Sequence, residues 1–540
     1  MVTVTEVIVK YSSPAEGFFS QLGQNVSVNY AEDLGQGFAL ADIPEESLPV
    51  LYSLPFVEDA EIPKRVYIDA VSGLDSACIR RLQDENTFGL TGKGVIVGII
   101  DTGVDYSHPE FRRENGETRI LYYWDQGAQG SPPEGFVSGA EYSSGMLDAA
   151  LLSGDPFSVT GIPDRDGHGT AVAGIAAGNT GSAPGADIIA VKVRPGGDDF
   201  SRSAELMRGI KYITDKARLL QMPAAINISY GMNEGSHRGD SLFEEYLTAA
   251  AGVWKLSLVV PTGNEGGAGH HYSGMMTASS RSDISFFTAA GLTGFYLSLW
   301  KDFADDLRVG LILPGGESTP VLDSGAEVSR FGYGDISVTV IYGQPTRYSI
   351  SQEVFFDIRA REGFIPAGLW KLVVVSGNIA NGRFDVWLPT VAEVTTGTYF
   401  ADPDNYATLT IPSTSGKVIR AAGYNDRIGS AAEFSGVGWN AEGLAKPDVT
   451  APCVGITAPR AGGGYGSFTG TSFAAPFATG AAALLMEQGI VRGRSPFLYG
   501  EKLKAYLHRS AVRIQGAGYP SPVYGYGRLC AALEEQGVIL

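Results

Sequence analysis

The sequence predicts an α/β fold in which a doubly wound parallel sheet follows a small α+β unit and is interrupted by an inserted β unit. Three observations predict this architecture. Between residues 94 and 270, continuous β-branched runs alternate with stretches of helical periodicity, as in parallel sheets covered on both faces. Between residues 271 and 413, helical periodicity gives way to short alternating segments separated by Gly, Pro, Asn and Asp. The α/β pattern then returns from residue 414.

The first 66 residues are predicted to form the separate α+β unit. Their alternation and turn residues indicate a strand at 6–11, a helix near 14–22, strands around 26–30 and 37–43, a helix at 45–54 and a strand at 57–62. A mixed connection follows, with a predicted helix at 76–85.

The doubly wound part begins with an unbroken apolar run at 95–100 that ends in Asp101. Further strands are predicted at 187–193, 225–229 and 256–261, and the helices between them at 169–177, 203–219 and 241–254. Ligands of such sheets bind outside the carboxyl ends of the strands. Asp101, Ser229 and Asn264 all fall at such ends, so we expect a site there.

The inserted unit is predicted to be an antiparallel sandwich or jelly roll. Its predicted strands lie at 295–300, 309–313, 336–342, 352–356, 368–376, 381–388 and 407–411. Beyond it, a strand is predicted at 418–423, a helix at 500–510, a Gly/Tyr/Pro-rich run at 516–527 and a final short helix.

The composition is that of an ordinary globular chain of 540 residues, of which 44% are hydrophobic. Its 59 acidic and 40 basic residues give a formal net charge of -19. Because this field repels polyanions, we expect neither a nucleic-acid partner nor an anionic membrane partner.

The amino terminus lacks a basic segment followed by a sustained apolar one, so we expect no Sec-type signal peptide. We also predict that no segment is long and apolar enough to span a membrane.

The three cysteines, Cys78, Cys453 and Cys530, are an odd and widely spaced set without a CxxC or Cys/His pattern. This spacing argues against a disulfide framework and against a zinc site. We therefore predict isolated thiols, no metal site and no cofactor.

The stretch Gly470-Thr471-Ser472-Phe473-Ala474-Ala475-Pro476 opens directly into an apolar helix. A hydroxyl at such a helix start lies where backbone N–H groups and the positive end of the helix dipole converge, which suits a nucleophile. The alternative interpretation is an ordinary helix cap, since Gly-Thr-Ser before a helix also serves that purpose.

A second stretch, Asp166-Gly167-His168-Gly169-Thr170, places a glycine-flanked histidine at the start of a small-residue helix. An alcohol needs an imidazole to accept its proton, and the imidazole needs a carboxylate to hold its tautomer. Asp101, His168 and Ser472 supply these three groups. Each motif alone also fits a structural role, so the hypothesis of a nucleophilic serine depends on the combination of all three.

The chain order Asp, His, Ser is that of subtilisin. The motifs DTGVD (101–105), HGTAVAG (168–174) and GTSFAAP (470–476) resemble the three signatures of the subtilisin-like serine proteases, the subtilases. The resemblance implies that Asp101, His168 and Ser472 form a catalytic triad that hydrolyses peptide bonds in protein or peptide substrates. It also implies that Asn264 donates to the oxyanion, together with the backbone N–H of Ser472, and that residues 229–231 (Ser229, Tyr230 and Gly231) line the substrate cleft.

Other polar candidates are predicted to have lesser roles. Asp105 is expected to order its loop, and His108 to be structural. The pair His270-His271 is weighed as a weak metal site and set aside. Cys453 stands where the family has Gly, which places a thiol near the cleft or narrows the turn.

The sequence gives general expectations for the first subsite, which holds the substrate side chain before the cleaved bond, and for calcium sites. Tyr230 and Glu265 are expected to shape the first subsite, where the acidic group favours a basic or polar side chain. The acidic runs at 302–306 and 402–404 are expected to be solvated loops and not calcium cages.

Residues 1–66 have the pattern and position of a subtilase prodomain, an intramolecular chaperone and inhibitor, so the resemblance implies self-cleavage within 64–76. The resulting domain prediction is a prodomain at 1–66, a catalytic domain at 67–270 and 414–540, and a jelly roll at 271–413. This organisation is similar to that of the Csp germination proteases of spore-forming clostridia. That group implies a retained prodomain in the cleft, a precursor of a cortex-lytic enzyme as substrate, and a spore compartment.

Two alternatives remain open. The first is a catalytically silent signalling or binding protein on the same scaffold, with the prodomain still attached. The second is a broad-specificity protease that is exported to the extracellular space.

Overall fold

The computed structural model of the protein describes residues 4–12, 14–63, 65–66, 73–194, 201–323, 325, 327–441, 443 and 447–531. Most of the segment predicted to be self-cleaved, and the predicted final helix, lie outside these residues.

The amino-terminal unit comprises residues 4–61. It contains β1 (Val4–Tyr11), α1 (Ala15–Asn25), β2 (Tyr30–Gly35), β3 (Phe38–Pro44), α2 (Leu48–Ser53) and β4 (Val57–Glu61). The strands form an antiparallel sheet in the order β2-β3-β1-β4. The strand predicted at 26–30 begins only at Tyr30, because α1 continues to Asn25 and the N–H of Val26 caps it on the carbonyl of Leu22.

The next part of the chain contains β5 (Arg65–Val66), α3 (Ile79–Gln83), β6 (Ile96–Asp101), β7 (Ile120–Asp125), β8 (Ala140–Ser143), α4 (Ser144–Leu152), α5 (His168–Ala177), β9 (Asp187–Lys192), β10 (Ser201–Arg202), α6 (Ser203–Leu220), β11 (Ala224–Ile228), α7 (Leu242–Ala250) and β12 (Leu256–Pro261). Helix α7 starts at a capping box in which Ser241 and Glu244 satisfy each other's backbone N–H groups.

The inserted β unit comprises residues 271–400. It contains β13 (His271–Met275), β14 (Arg281–Thr288), β15 (Gly294–Asp302), β16 (Leu307–Ile312), β17 (Val328–Tyr333), β18 (Ile336–Tyr342), β19 (Ser351–Ala360), β20 (Gly368–Ser376), β21 (Arg383–Trp387), α8 (Val391–Val394) and β22 (Tyr399–Phe400). Two antiparallel sheets, β13-β21-β15-β19-β18-β17 and β16-β20-β14-β22, share one hydrophobic core.

The chain then returns through β23 (Ile419–Asn425), β24 (Ser430–Ala431), β25 (Val449–Pro452), β26 (Val454–Pro459), β27 (Tyr465–Thr469), α9 (Ala474–Met486) and α10 (Gly500–Ser510). The strand predicted at 407–411 does not form. Its backbone instead makes one hydrogen bond each with Val437 and Thr262 and two with Met232.

The central sheet runs in the order β24-β23-β12-β11-β6-β9-β7-β8, with β25 also paired to β23. The pairs from β23 through β12, β11, β6 and β9 to β7 are parallel. Helices α5 and α9 cover one face of this sheet, and α6 and α7 cover the other. The outer face of the amino-terminal sheet packs on α6 and α7, so those two helices lie between the two sheets.

One helical stretch, Thr471–Val491, is long and apolar enough to cross a membrane by length and composition, contrary to the prediction from sequence. Its most apolar window is 89% buried inside the protein. The reason is its place in the fold, where α9 packs against α5, β11 and β12 as a core helix.

Two of the three cysteines are joined by a disulfide between Cys78 and Cys530, so the prediction of isolated thiols is wrong for this pair. The tail folds back onto the segment before α3, where the N–H of Ala531 donates to the carbonyl of Ala77. A sequence separation of 452 residues leaves no spacing pattern from which this pairing could be predicted. The third cysteine, Cys453, is a buried thiol.

Candidate active site

Asp101 and His168 meet at the carboxyl edge of the central sheet. Asp101 is the last residue of β6, and His168 is the first residue of α5. His168 Nδ1 lies 2.7 Å from Asp101 Oδ1. Because a carboxylate only accepts hydrogen bonds, Nδ1 carries the proton and Nε2 of the neutral ring is left as an acceptor. The pair can therefore act as a base whose tautomer is held by the carboxylate.

The close approach of α5 to β6 depends on Gly169. A Cβ at this position would lie 2.1 Å from the carbonyl oxygen of Gly103 and 3.0 Å from Asp101 Cβ. The N–H of Gly169 donates to Thr102 Oγ1 at 2.9 Å, and the N–H of Thr102 donates to Asp101 Oδ1 at 2.8 Å. These contacts lock the helix start onto the end of the strand.

Ser472 lies in the turn that leads into α9. Its side chain is 1% exposed, and its Oγ lies 3.5 Å from the carbonyl oxygen of Ser229. The ring of the next residue, Phe473, packs on the imidazole of His168 with 4.7 Å between ring centroids. The third predicted motif is thus brought beside the other two.

A chain of buried hydrogen bonds runs from α9 through β11 to the backbone of Ser472. Thr479 Oγ1 donates to Asn227 Oδ1 at 3.1 Å, and Asn227 Nδ2 donates to Ser229 Oγ at 2.7 Å. Ser229 Oγ then donates to the carbonyl oxygen of Ser472 at 2.8 Å. Sequence analysis did not identify Asn227 or Thr479, although Asn227 interrupts an otherwise apolar strand and could have signalled a buried network.

Asn264 follows β12 and lies beside Ser472. Its Oδ1 accepts hydrogen bonds from the N–H of Thr471 at 3.0 Å and from Thr471 Oγ1 at 3.2 Å. The amide is therefore oriented with its Nδ2 group away from Thr471. Asn264 and Ser472 both line one small cavity, so the amide can donate to an oxygen beside Ser472.

That small cavity, which we call the first-subsite cavity, has a volume of about 20 Å³. Apart from Asn264 and Ser472, its lining is contributed by the ends of β11 and β12, by α8 and by the return from the inserted β unit, namely Gly231, Pro261, Gly263, Glu265, Thr390, Val391, Ala392 and Thr410. Asn264 also lines a second cavity of about 420 Å³, together with Gly470 and Phe434.

Tyr230 and Glu265 do not shape this subsite in the way that the sequence predicted. Tyr230 is 3% exposed and packs in the core on the α6 side of the sheet. Glu265 borders the cavity, but Oε1 accepts from the N–H of Val391 at 3.0 Å, and Oε2 lies 2.5 Å from His270 Nδ1. Glu265 is 2% exposed and both of its oxygens hold partners within the protein, so the side chain is fixed in the wall of the cavity.

The adjacent histidines are tied to the inserted β unit. Besides its contact with Glu265, His270 has Nε2 2.9 Å from the carbonyl oxygen of Thr398. His271 contacts Asp385 through Nε2 at 3.1 Å and the carbonyl oxygen of Tyr406 through Nδ1 at 2.6 Å. Within the described part of the chain, no group of three or more His, Cys, Asp or Glu side chains could hold a metal ion.

Asp105 and His108 hold loops near the site, in agreement with the prediction. Asp105 Oδ2 accepts from the N–H of Gly462 at 2.8 Å, and His108 Nε2 lies 3.0 Å from the carbonyl oxygen of Gly464. Asp164, which sequence analysis missed, accepts from the N–H and Oγ1 of Thr170 at 2.9 and 2.6 Å. Burial raises the pKa of Asp164, and these hydrogen bonds oppose that rise.

Cys453 lies beneath the site. It is fully buried, and a Cβ on Gly423 would lie 2.3 Å from its Sγ. The thiol therefore packs under the turn before Ser472 and is not a group of the cleft surface.

Comparison with known proteins agrees with this geometry. The profile of the Subtilase family matches residues 92–291 and 344–527, which is more than half of the chain. The solved structure of the Clostridium perfringens CspB protease is 35% identical, with a TM-score of 0.77, and the match covers 86% of this chain and 96% of that chain.

Two curated relatives are more distant. The minor extracellular protease Vpr of Bacillus subtilis is 24% identical over 548 residues, which cover 94% of this chain and 60% of Vpr. Subtilisin-like protease 9 of Arthroderma gypseum is 25% identical over 279 residues, which cover 48% of this chain and 59% of that protein. The chain thus spans about 60% of the length of each of these relatives. The three motifs meet at one edge of the central sheet, and the family profile matches more than half of the chain, so the chain belongs to the subtilases, the subtilisin-like serine protease family.

Proposed function

We propose that the chain cleaves peptide bonds through an acyl-enzyme on Ser472, with His168 as general base and acid and Asp101 as the group that holds His168. The observation that carries this proposal is the 2.7 Å contact between His168 Nδ1 and Asp101 Oδ1 beside the turn that bears Ser472. In this proposal Asn264 and the N–H of Ser472 bind the oxyanion.

The proposed reaction has two halves. As Ser472 Oγ bonds to the substrate carbonyl carbon, its proton passes to His168 Nε2, and the oxyanion forms beside Asn264. The C–N bond then breaks, and the imidazolium gives its proton to the leaving amine. Water repeats these steps in the second half, which releases the carboxylic acid and restores the serine. Burial of Asp101 strengthens its interaction with the imidazolium formed in each half.

The amino-terminal unit is proposed to be the prodomain, cut off by the same site and retained in the cleft. Strand β5 leaves this unit and pairs antiparallel with β10, with Val66 opposite Ser201. Glu61 Oε1 accepts from the N–H of Phe243 at the start of α7 at 3.0 Å. Both contacts join the amino-terminal unit to the part of the chain that carries the site, one through β10 and the other through the start of α7, so they support docking that outlasts the cut.

The proposed physiological role is activation of a precursor enzyme during spore germination. Its support is the similarity to the CspB protease over nearly the whole of that chain, together with the inserted β unit between Asn264 and Ser472. The proposed substrate is the precursor of a cortex-lytic enzyme, and the proposed place of action is the spore. Nucleic acid and membranes are not proposed as partners, because the net charge of -19 disfavours polyanions.

The test compares wild type with Ser472→Ala on a denaturing gel under reducing conditions. We expect wild type to lose a fragment the size of residues 1–66 to 1–76, and Ser472→Ala to run as the full 57.1 kDa chain. Ser467→Ala, which changes an exposed serine of β27, is the matched control and should process like wild type. A fluorophosphonate probe should label wild type and not Ser472→Ala.

The competing function is a silent binding protein on the same scaffold. It predicts full-length chains for all variants and no labelling of Ser472. Either result for wild type would remove the case for an active protease.

A further inference from the structure

We infer that Thr410 closes the floor of the first-subsite cavity and selects substrates with a short polar side chain, of the Ser, Asn or Asp kind, before the cleaved bond. The inference rests on the proposed protease function and adds the substrate class.

Thr410 fills the depth of the cavity between its two walls. A Cβ on Gly263 would lie 2.3 Å from Thr410 Oγ1 and 2.4 Å from Cγ2, and a Cβ on Gly231 would lie 2.6 Å from the same Oγ1. The two glycines therefore leave just enough room for this side chain. The space that remains, about 20 Å³, is little more than one water needs.

The backbone of Thr410 is fixed, so the side chain cannot easily withdraw. Its N–H donates to the carbonyl oxygen of Thr262 at 3.0 Å, and its carbonyl oxygen accepts from the N–H of Ser413 at 2.8 Å. The next residue, Ile411, exchanges two backbone hydrogen bonds with Met232. Thr410 is thereby held between the segments that follow β11 and β12, and a bulky substrate side chain would have to displace this fixed wedge.

The hydroxyl of Thr410 lacks a partner within the described part of the chain. The side chain is 2% exposed, and its Oγ1 makes no hydrogen bond there. A buried hydroxyl without a partner is unfavourable, so a polar group that reaches it gains a hydrogen bond that an apolar group of the same size cannot make. The first-subsite cavity is thus shallow and has a polar floor.

The charged side chain at the rim of the cavity, Glu265, is held by other contacts. Glu265 is engaged by Val391 and His270, and the remaining rim contributed by α8 is Thr390, Val391 and Ala392. Thr410 is therefore the polar group at the floor that a substrate side chain can satisfy.

The chain's own sequence provides a first test. Within the segment proposed to be self-cleaved, we expect the cut to follow one of the short polar residues Asp69, Ser72, Asp75 or Ser76. The new amino terminus of the processed protein, read by mass spectrometry, decides this. A cut after Val66, Tyr67, Ile68, Val71 or Leu74 would overturn the inference.

The direct test uses peptides that differ only in the residue before the cleaved bond. Ser and Ala form one pair of similar size, Asn and Leu form a second, and Phe is the large side chain. For the processed wild-type chain we expect kcat/KM to be about tenfold higher for the polar member of each pair and about 100-fold lower for Phe than for Asn. Fluorophosphonate titration counts active sites, so that each kcat/KM is expressed per labelled site.

Three variants separate size from polarity. Thr410→Val keeps the shape without the hydroxyl and should bring both polar/apolar ratios to about one, with Phe still poor. Thr410→Gly should raise cleavage at Phe by about tenfold or more, and Thr410→Ser should keep the polar preference. Failure to label Ser472 of the wild-type chain would count against the proposed function. A labelled wild-type chain that prefers Leu or Phe would overturn this inference alone. Both results come from the wild-type chain and do not depend on the folding of any variant.

Discussion

Arg208 Nε donates a 2.8 Å hydrogen bond to Glu32 Oε2, and both side chains are buried where the amino-terminal unit meets α6. The same guanidinium donates to Glu6 of β1 and, through Nη1 at 3.0 Å, to Glu205. Burial raises the pKa of Glu32 to about 7, and the charge of Arg208 opposes this rise only in part. Two cations, Arg208 and Arg194, thus face three carboxylates, and Glu32 holds a proton more readily than Glu6.

This cluster predicts that the amino-terminal unit docks less tightly as pH rises. The contribution of Glu32 is complete below its ordinary pKa of 4.5 and is lost as pH rises through about 7. Burial opposes the shift of Glu6, but the charge and hydrogen bond of Arg208 lower its pKa, so the contribution of Glu6 is lost only on acidification below that range. The remaining groups that face the cluster are Tyr30 and Arg194.

The measurement is the urea midpoint of the uncleaved Ser472→Ala chain between pH 5 and 8, with and without Glu32→Gln. We expect the equilibrium constant for folding of the Ser472→Ala chain to fall by up to about tenfold per pH unit. The fall should be smaller when Glu32→Gln is added. A parent whose midpoint rises with pH in parallel with the variant would contradict the assignment.

The hydrogen-bond chain behind Ser472 predicts an effect on turnover. Ser229→Ala removes the hydroxyl that holds the carbonyl oxygen of Ser472, so kcat should fall by about ten- to 100-fold while KM changes little, because a small displacement of the nucleophile costs reactivity more than binding. Thr479→Val should give a smaller loss of the same kind, and Thr479→Ser should restore it. An increase in KM with unchanged kcat would assign Ser229 to substrate binding instead.

The orientation of Asn264 predicts a loss confined to the transition state. Asn264→Ala removes the amide beside Ser472, and we expect kcat to fall by about 10²–10³-fold, the magnitude known for loss of the oxyanion-hole asparagine in subtilisin itself. Fluorophosphonate labelling should slow, since that reaction also develops a charged oxygen. Unchanged turnover would show that another donor serves the oxyanion.

The buried carboxylate of Asp448 predicts a large effect on stability. Its carboxylate accepts from Arg420 Nη1 at 3.0 Å and His508 Nε2 at 2.9 Å, and Lys504 Nζ lies 3.3 Å away. Burial alone would raise the pKa of Asp448, but the charges of Lys504 and Arg420 hold it well below its usual value. Asp448→Asn removes the buried carboxylate that faces Arg420 and Lys504 and leaves Lys504 with the exposed Glu501 only, so it should lower the free energy of unfolding by about 3–5 kcal/mol.

The control for that variant is Glu501→Gln. Glu501 contacts the same Lys504 at 3.9 Å, but its side chain is 60% exposed, so its loss should change the free energy of unfolding by less than about 1 kcal/mol. Equal losses in the two variants, measured by chemical denaturation, would contradict the role given to burial.

The elements that carry the site could be predicted because their signals are local. The apolar run before Asp101 forms β6, and the helix predicted at 169–177 forms as α5 with His168 at its start. The contacts that tune the site join distant segments and leave no local pattern. Glu265 pairs with His270 and with the backbone of α8, and Thr410 enters the cavity only because the chain returns from the inserted unit between two glycines.

The link between Cys78 and Cys530 turns most of the polypeptide into a covalent ring. A protease cut at any single exposed loop inside that ring leaves both pieces attached, so a nicked molecule stays whole until a reductant opens it. The segment proposed for self-cleavage lies before Cys78 and therefore outside the ring. The one cut that the enzyme is proposed to make on itself can free its fragment without help, whereas accidental nicks within the ring cannot.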